Sequence, residues 1–234
     1  MRVVVATTGG EYGRWIVDGL GERDVRPEAV VLDLYRPRLA TALRKPRRLV
    51  GPVRRWLDAR RLATHAVGNL NDPRSVELLR RLAPDLLVLA GARILSADVL
   101  SVPGLGALNA HPAQLPGFRG TGVVGRSILA GAPVVVTVHF ASADIDAGDV
   151  VERRLVPIEP GDTLDSIQRR ADRLCAEALA EVAARVSRGE ELQREPQREP
   201  GEVSRWLTPD EREQAEELVA SGEARRRYLE AASA

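Results

Sequence analysis

Short apolar runs alternate with stretches of helical periodicity along most of this chain. That alternation predicts βαβ units and a largely parallel sheet. Val3–Thr7 reads as a buried first strand, followed by Gly9-Gly10 and a helix near Tyr12–Leu20. Glu28–Asp33 reads as a second strand and Ala63–Val67 as a third, weaker one. Asp72-Pro73 opens a helix running through Leu82, with Pro73 suited to the first helical position. Asp85–Ala90 is a continuous apolar strand ending at Gly91. Ala107–Ala110 is a short strand that delivers Asn109 and His111 at its C-terminal edge, where open α/β sheets place their sites.

The second half is patterned differently. Pro133–Phe140 and Asp149–Pro157 alternate more, as antiparallel or mixed edge strands do. Gly161-Asp162-Thr163 caps a long amphipathic helix to about Ser187. Its apolar stripe is Leu164, Ile167, Ala171, Leu174, Ala178, Val182 and Val186. The tandem repeat from Gln193 to Pro200 is polar and proline-bearing, and reads as an extended arm. Thr208-Pro209-Asp210-Glu211 combines a cap, a proline at the first helical position and a capping-box glutamate, so a helical tail follows. The expected division is a main domain over 1–190 and an arm with helical tail over 191–234.

Composition changes this picture little. At 234 residues the chain can bury a full core, but aromatics are only 3%, so Val, Leu, Ala and Ile must build it. The net charge of +1 gives no global reason to expect nucleic acid or a membrane. The single cysteine, Cys175, excludes an internal disulfide and reads as a small buried hydrophobe. The N-terminal apolar run is too short for a signal peptide or membrane span, so a soluble cytoplasmic protein is expected. One segment breaks the balance: Arg36 to Arg61 carries nine arginines and Lys45 against one acidic residue, Asp58. It reads either as a solvated basic helix or as a contact for a phosphate-bearing or acidic partner.

The chemistry-bearing residues gather in two stretches, Asn109 to Gly120 and His139 to Gly148. Asn109 can donate a hydrogen bond to a developing oxyanion. His111 can donate to the same oxygen or shuttle a proton, and Asp146 can hold the imidazole charge. Each type alone has a plain structural explanation: turn chemistry for Asn, a solvated loop for His, side-chain caps for Asp-x-Asp-x-Gly. Together they suffice for acyl transfer to an amine without a metal, and no metal ligands are expected.

The run Asn109-Ala110-His111-Pro112, Leu115-Pro116 and Arg119-Gly120, followed by Asp146-Ala147-Gly148, resembles the folate-dependent formyltransferases. The resemblance covers roughly residues 1–190 and is most specific from 84 to 150. It implies a Rossmann-like formyltransferase fold with a mostly parallel sheet flanked by helices, and 10-formyltetrahydrofolate as formyl donor. It maps the family's catalytic Asn, His and Asp onto Asn109, His111 and Asp146. It also implies a folate pocket formed by Ala92, Arg93, Ile94 and Leu95 with Ala141, Ser142 and Asp144, and a cis bond at Leu115-Pro116. His139 matches no catalytic position of the family and reads as a strand residue beside the pocket.

Departures from the family pattern narrow the expected acceptor. Ala113-Gln114 stands where the family has Ser-Leu. Glu11 in the first loop would repel a phosphate from the neighbouring backbone amides, which disfavours glycinamide ribonucleotide. The tail is short and helical where the methionyl-tRNA enzyme carries a β-barrel, which disfavours that acceptor and nucleic acid with it. The remaining expectation is a small-molecule amine, an amino sugar (nucleotide-linked in one form) or a natural-product intermediate. A scaffold protein that kept the fold and a formyltetrahydrofolate hydrolase are the alternatives. The arm is either a homodimer contact or a tether.

Overall fold

The computed structural model describes residues 1–34, 55–199 and 201–233. The chain divides into two compact units, Met1–Asn109 with Leu179–Glu191, and Ala110–Ala178 with Leu192–Ala234. Strands β1 (Val3–Thr7), β2 (Ala29–Asp33), β3 (Ala63–Val67), β4 (Leu86–Ala90), β5 (Gly106–His111), β7 (Val135–Phe140) and β8 (Val150–Leu155) form one sheet in the order β3-β2-β1-β4-β5-β7-β8. A two-residue strand, β6 (Arg119–Gly120), pairs separately with β9 (Val203–Ser204).

In the first unit, β1 pairs in parallel with β2 and β4, β2 with β3, and β4 with β5. All five residues of β1, β2 and β4 are buried, which explains their uninterrupted apolar sequences. β3 lies at the end of the sheet and is mostly half-buried or exposed, which accounts for its weaker pattern. Helix α1 (Gly10–Gly21) follows β1, α2 (Pro73–Leu82) leads into β4, and the single turn α3 (Ala97–Leu100) precedes β5. A Cβ on Gly19 of α1 would sit 3.0 Å from the Ala180 methyl, so small residues set this close approach.

In the second unit, β7 and β8 pair antiparallel, as their alternation predicts. The register runs Val138 to Glu152 and then His139 to Val150, so Val151 is an extra residue, a bulge directly beside His139. Helix α4 (Val123–Leu129) follows β6, and α6 (Pro209–Ala220) and α7 (Glu223–Ala232) close the chain. Thr208 and Glu211 make both bonds of the expected capping box.

Helix α5 (Leu164–Ser187) has the expected bounds, but its buried face is wider than the predicted stripe. Leu174 and Val186 are only half-buried, whereas Cys175, Ala176, Leu179, Ala180, Ala183 and Ala184 are buried. The run of alanines widens the buried face beyond a single leucine stripe. Among the described residues no helix is long and apolar enough to cross a membrane.

Candidate active site

β5 extends one residue further than its sequence pattern suggests and ends on His111 itself. Side chains two apart on a strand share a face, so Asn109 and His111 belong to the same side of β5. Asn109, the last residue of the first unit, is half-buried, and His111, in the second, is buried. Beyond it the chain turns sharply. The Leu115-Pro116 bond is cis, as the family resemblance implies. Thr137 on β7 donates its hydroxyl to the Ala113 carbonyl at 2.7 Å, and the Arg153 guanidinium donates to Leu115 O. The turn is thereby held from β7 and β8.

Asp146 reaches the same place from the loop after β7. Phe140 N donates to Asp149 O at 2.9 Å, which closes that loop at its base. A Cβ on Gly148 would overlap the Phe140 carbonyl, so only glycine fits there. Asp146 itself has φ 50°, a left-handed conformation uncommon outside glycine. Its Oδ2 accepts from Gly120 N on β6 at 2.9 Å.

The result is one carboxylate between two imidazoles. Asp146 Oδ2 lies 3.5 Å from His111 Nδ1, and Oδ1 lies 3.8 Å from His139 Nε2. These are ion-pair distances, longer than a hydrogen bond. The far nitrogen of each ring is placed against a backbone carbonyl: His111 Nε2 at 2.8 Å from Phe118 O, and His139 Nδ1 at 3.0 Å from Phe140 O. A carbonyl can only accept, so in each neutral ring the proton sits on that far nitrogen. The basic nitrogens, Nδ1 of His111 and Nε2 of His139, therefore face Asp146.

Burial holds both rings uncharged. It pushes His111 below the usual histidine range, against the opposing pull of Asp146 and the Phe118 carbonyl. It lowers His139 to about 4, against Asp146 and the Phe140 carbonyl, with His111 adding to the depression. A proton arriving at either ring would meet a carboxylate already in place. The cluster is thus a base that resists charging until charge is delivered to it.

The loop after β4 belongs to the first unit. Ala92 and Arg93 are half-buried, Ile94 is 61% exposed and Leu95 is buried. Asp33, at the end of β2, holds the Arg93 guanidinium through Nε at 2.5 Å and Nη2 at 3.3 Å. Asn71 donates to Ile94 O at 3.0 Å and accepts from Ser96 N at 2.9 Å. In the second unit, Ala141 is half-buried and Ser142 and Asp144 are exposed, with the Ser142 hydroxyl bonded to Asp144 O at 3.0 Å.

Sequence reasoning did not single out Asp33, Asn71 or Gln197, and left His139 out of the cluster it joins. Asp33 ends an apolar strand with a buried carboxylate, which was a usable signal. Asn71 and Gln197 bond main-chain atoms, which leave no pattern. Most of the basic segment 36–61 lies outside the described residues. From its described end, the Arg60 guanidinium lies 4.0 Å from the Trp56 ring centroid and 2.7 Å from Asp18 on α1.

Comparison with known proteins shows the family. The family described as Formyl transferase matches residues 1–183. The methionyl-tRNA formyltransferase of Halorhodospira halophila is 33% identical over 205 residues, covering 83% of this chain and 64% of that protein. Other methionyl-tRNA formyltransferases are matched over about 40% of their length. A sugar N-formyltransferase from a Shewanella species superposes with a TM-score of 0.66 at 18% identity, over 94% of this chain and 87% of that one. The formyltransferase PseJ from Anoxybacillus kamchatkensis, solved with UDP-4,6-dideoxy-4-formamido-L-AltNAc and tetrahydrofolate, has a TM-score of 0.57 at 16% identity over 97% of both chains.

Proposed function

Because the chain belongs to the formyl transferase family, we propose that it moves a formyl group from 10-formyltetrahydrofolate to the amine of a small molecule, foremost an amino sugar. The observation that carries this reading is the Asp146 carboxylate facing the basic nitrogen of buried His111. When bound, the folate supplies the formyl group. The residues fit such a donor: Ile94 offers an exposed apolar surface to a flat pterin, on a loop whose main chain Asn71 fixes. Ala92, Arg93 and Leu95 complete that loop in the first unit, and in the second unit Ala141, Ser142 and Asp144 follow β7.

Asn109 donates its amide to the oxygen on which negative charge develops, a contact worth ~3–4 kcal/mol in comparable sites. His111 accepts at Nδ1 the proton released by the attacking amine, and Asp146 stabilises the imidazolium that forms. His111 then returns the proton to the leaving folate nitrogen as its bond to the formyl carbon breaks. Burial keeps His111 neutral beforehand, so the acceptor nitrogen is available at neutral pH.

A second acceptor, the amino group of methionyl-tRNA, is favoured by the 33% identity to the Halorhodospira halophila enzyme. One experiment separates the readings. The protein is incubated with 10-formyltetrahydrofolate and a panel of aminodeoxy sugars, nucleotide-linked amino sugars, amino-acid derivatives and methionyl-tRNA. Formylation of an amino sugar is expected. Formylation of methionyl-tRNA alone would transfer the assignment to that acceptor. Formate release at the same rate with and without acceptors would favour a hydrolase, and donor binding without turnover a scaffold.

A further inference from the structure

We propose that Gln197 is a positioning residue for the Asp146 carboxylate, so that the C-terminal arm completes the active site. The inference rests on the formyl-transfer reading of the His111–Asp146 pair. Gln197 Nε2 donates to two carbonyls of the Asp146 loop, Asp146 O at 3.0 Å and Gly148 O at 2.6 Å. A side-chain amide has two donor hydrogens, and both are spent on this loop. The loop needs such support, because the left-handed φ of Asp146 is unfavourable outside glycine and persists only where its surroundings impose it.

The same arm grips the other half of the site. Gly201 N donates to Pro116 O at 3.0 Å, and Arg119 donates through Nη1 to Gly201 O at 3.1 Å. Arg119 also donates through Nε to Ile145 O at 2.7 Å, next to Asp146. β9 pairs with β6, whose Gly120 N holds the Asp146 carboxylate. The arm therefore touches the turn below His111 and the loop of Asp146 together. None of these arm residues falls within the stretch matched by the family, residues 1–183.

The tandem repeat supplies its own control. Gln193 and Gln197 occupy equivalent places in the two copies, yet Gln193 is exposed and Gln197 is half-buried against the loop. A merely compositional tether would treat them alike.

The test compares Gln197→Ala and the donor-free, similarly sized Gln197→Met with Gln193→Ala. The chain has three histidines, so imidazole NMR titration resolves His111, facing Asp146, His139 and the Phe118 carbonyl, beside His65 as an internal reference. Both Gln197 variants should move the His111 titration to lower pH, because the carboxylate that opposes burial is no longer held. Both should lower kcat about tenfold to a hundredfold with the KM for the formyl donor within twofold. Gln193→Ala should match the parent in each measurement. An unmoved His111 titration in both Gln197 variants would overturn the proposal, whatever the activity. If the titration moves but the parent protein transfers no formyl group, Gln197 positions Asp146 and it is the formyl-transfer reading that fails.

Discussion

Asp146 Oδ2 stands 3.5 Å from Nδ1 of His111, while the other nitrogen of that ring is committed to the Phe118 carbonyl. The carboxylate is the principal group that raises the basicity of a ring depressed by burial. Asp146→Asn should therefore lower the His111 pKa further and reduce kcat by about 10²–10⁴-fold. His111→Ala and Asn109→Ala should fall in the same range. Single-turnover kinetics on the accepted amine measure this, and full activity in any of the three would remove that residue from the mechanism.

The same histidines set an acid limit on stability. Both have folded-state pKa values below the unfolded value of about 6.5, so the unfolded chain binds more protons as pH falls. The stability they permit is complete above about pH 6.5 and drains away as pH drops toward the folded values, about 4 for His139. For His139 the loss approaches ~3 kcal/mol as an upper figure. Urea unfolding between pH 7 and 4 should show the decline, and His139→Phe should flatten it. An equal slope in that variant would refute the attribution.

Asp33 is predicted to act on donor binding rather than on chemistry. Its two contacts to Arg93 hold the loop that carries Ile94. Asp33→Asn keeps the shape and removes the charge, and should raise the KM for 10-formyltetrahydrofolate severalfold with little change in kcat. Isothermal titration with a stable formylfolate analogue checks the same point without turnover. Unchanged affinity would mean that the pair is only structural.

Gly148→Ala would force a methyl into the Phe140 carbonyl. Overpacking of this kind costs roughly 1–3 kcal/mol and would move the Asp146 loop. Thermal unfolding should show a lowered midpoint, and residual kcat should resemble that of Asp146→Asn. A fully active, fully stable variant would contradict the packing described.

Cys175 is buried in α5, and burial pushes its thiol well above the usual range. The native protein should fail to react with Ellman's reagent at pH 8, and one equivalent should react after denaturation. Rapid labelling of the folded protein would show that the helix opens or packs differently.

Much of this was legible in the residues. Val3–Thr7 and Ala63–Val67 match their observed strands to the residue, because a short run bounded by polar turns leaves little freedom at its ends. Thr208–Glu211 was readable because a capping box is a local motif whose two bonds join residues three apart. The His111–Asp146 pair was suggested by residue chemistry and singled out by family resemblance, since nothing local relates positions so distant. The part that escaped is long-range and mediated by main-chain atoms. Arg119 reaches Ile145 O and Gly201 O, and Gln197 reaches Asp146 O and Gly148 O. A carbonyl carries no residue identity, so these contacts leave no trace in side-chain patterns. β6 and β9 escaped for a related reason: two residues cannot display a period of two.

The pairing of β6 with β9 also has a consequence for how the protein is made. Arg119 and Gly201 meet across a sequence separation of 82 residues. During synthesis, His111 and Asp146 leave the ribosome well before Gln197, Gly201 and Ser204 do. The side chains assigned to the chemistry thus exist for a time on a nascent chain without the segment that bonds the Asp146 loop. Closing so long a contact is slow relative to local structure. On that assignment, the bonds from Gln197 that hold the Asp146 loop can form only after the residues of the whole seven-stranded sheet have been made.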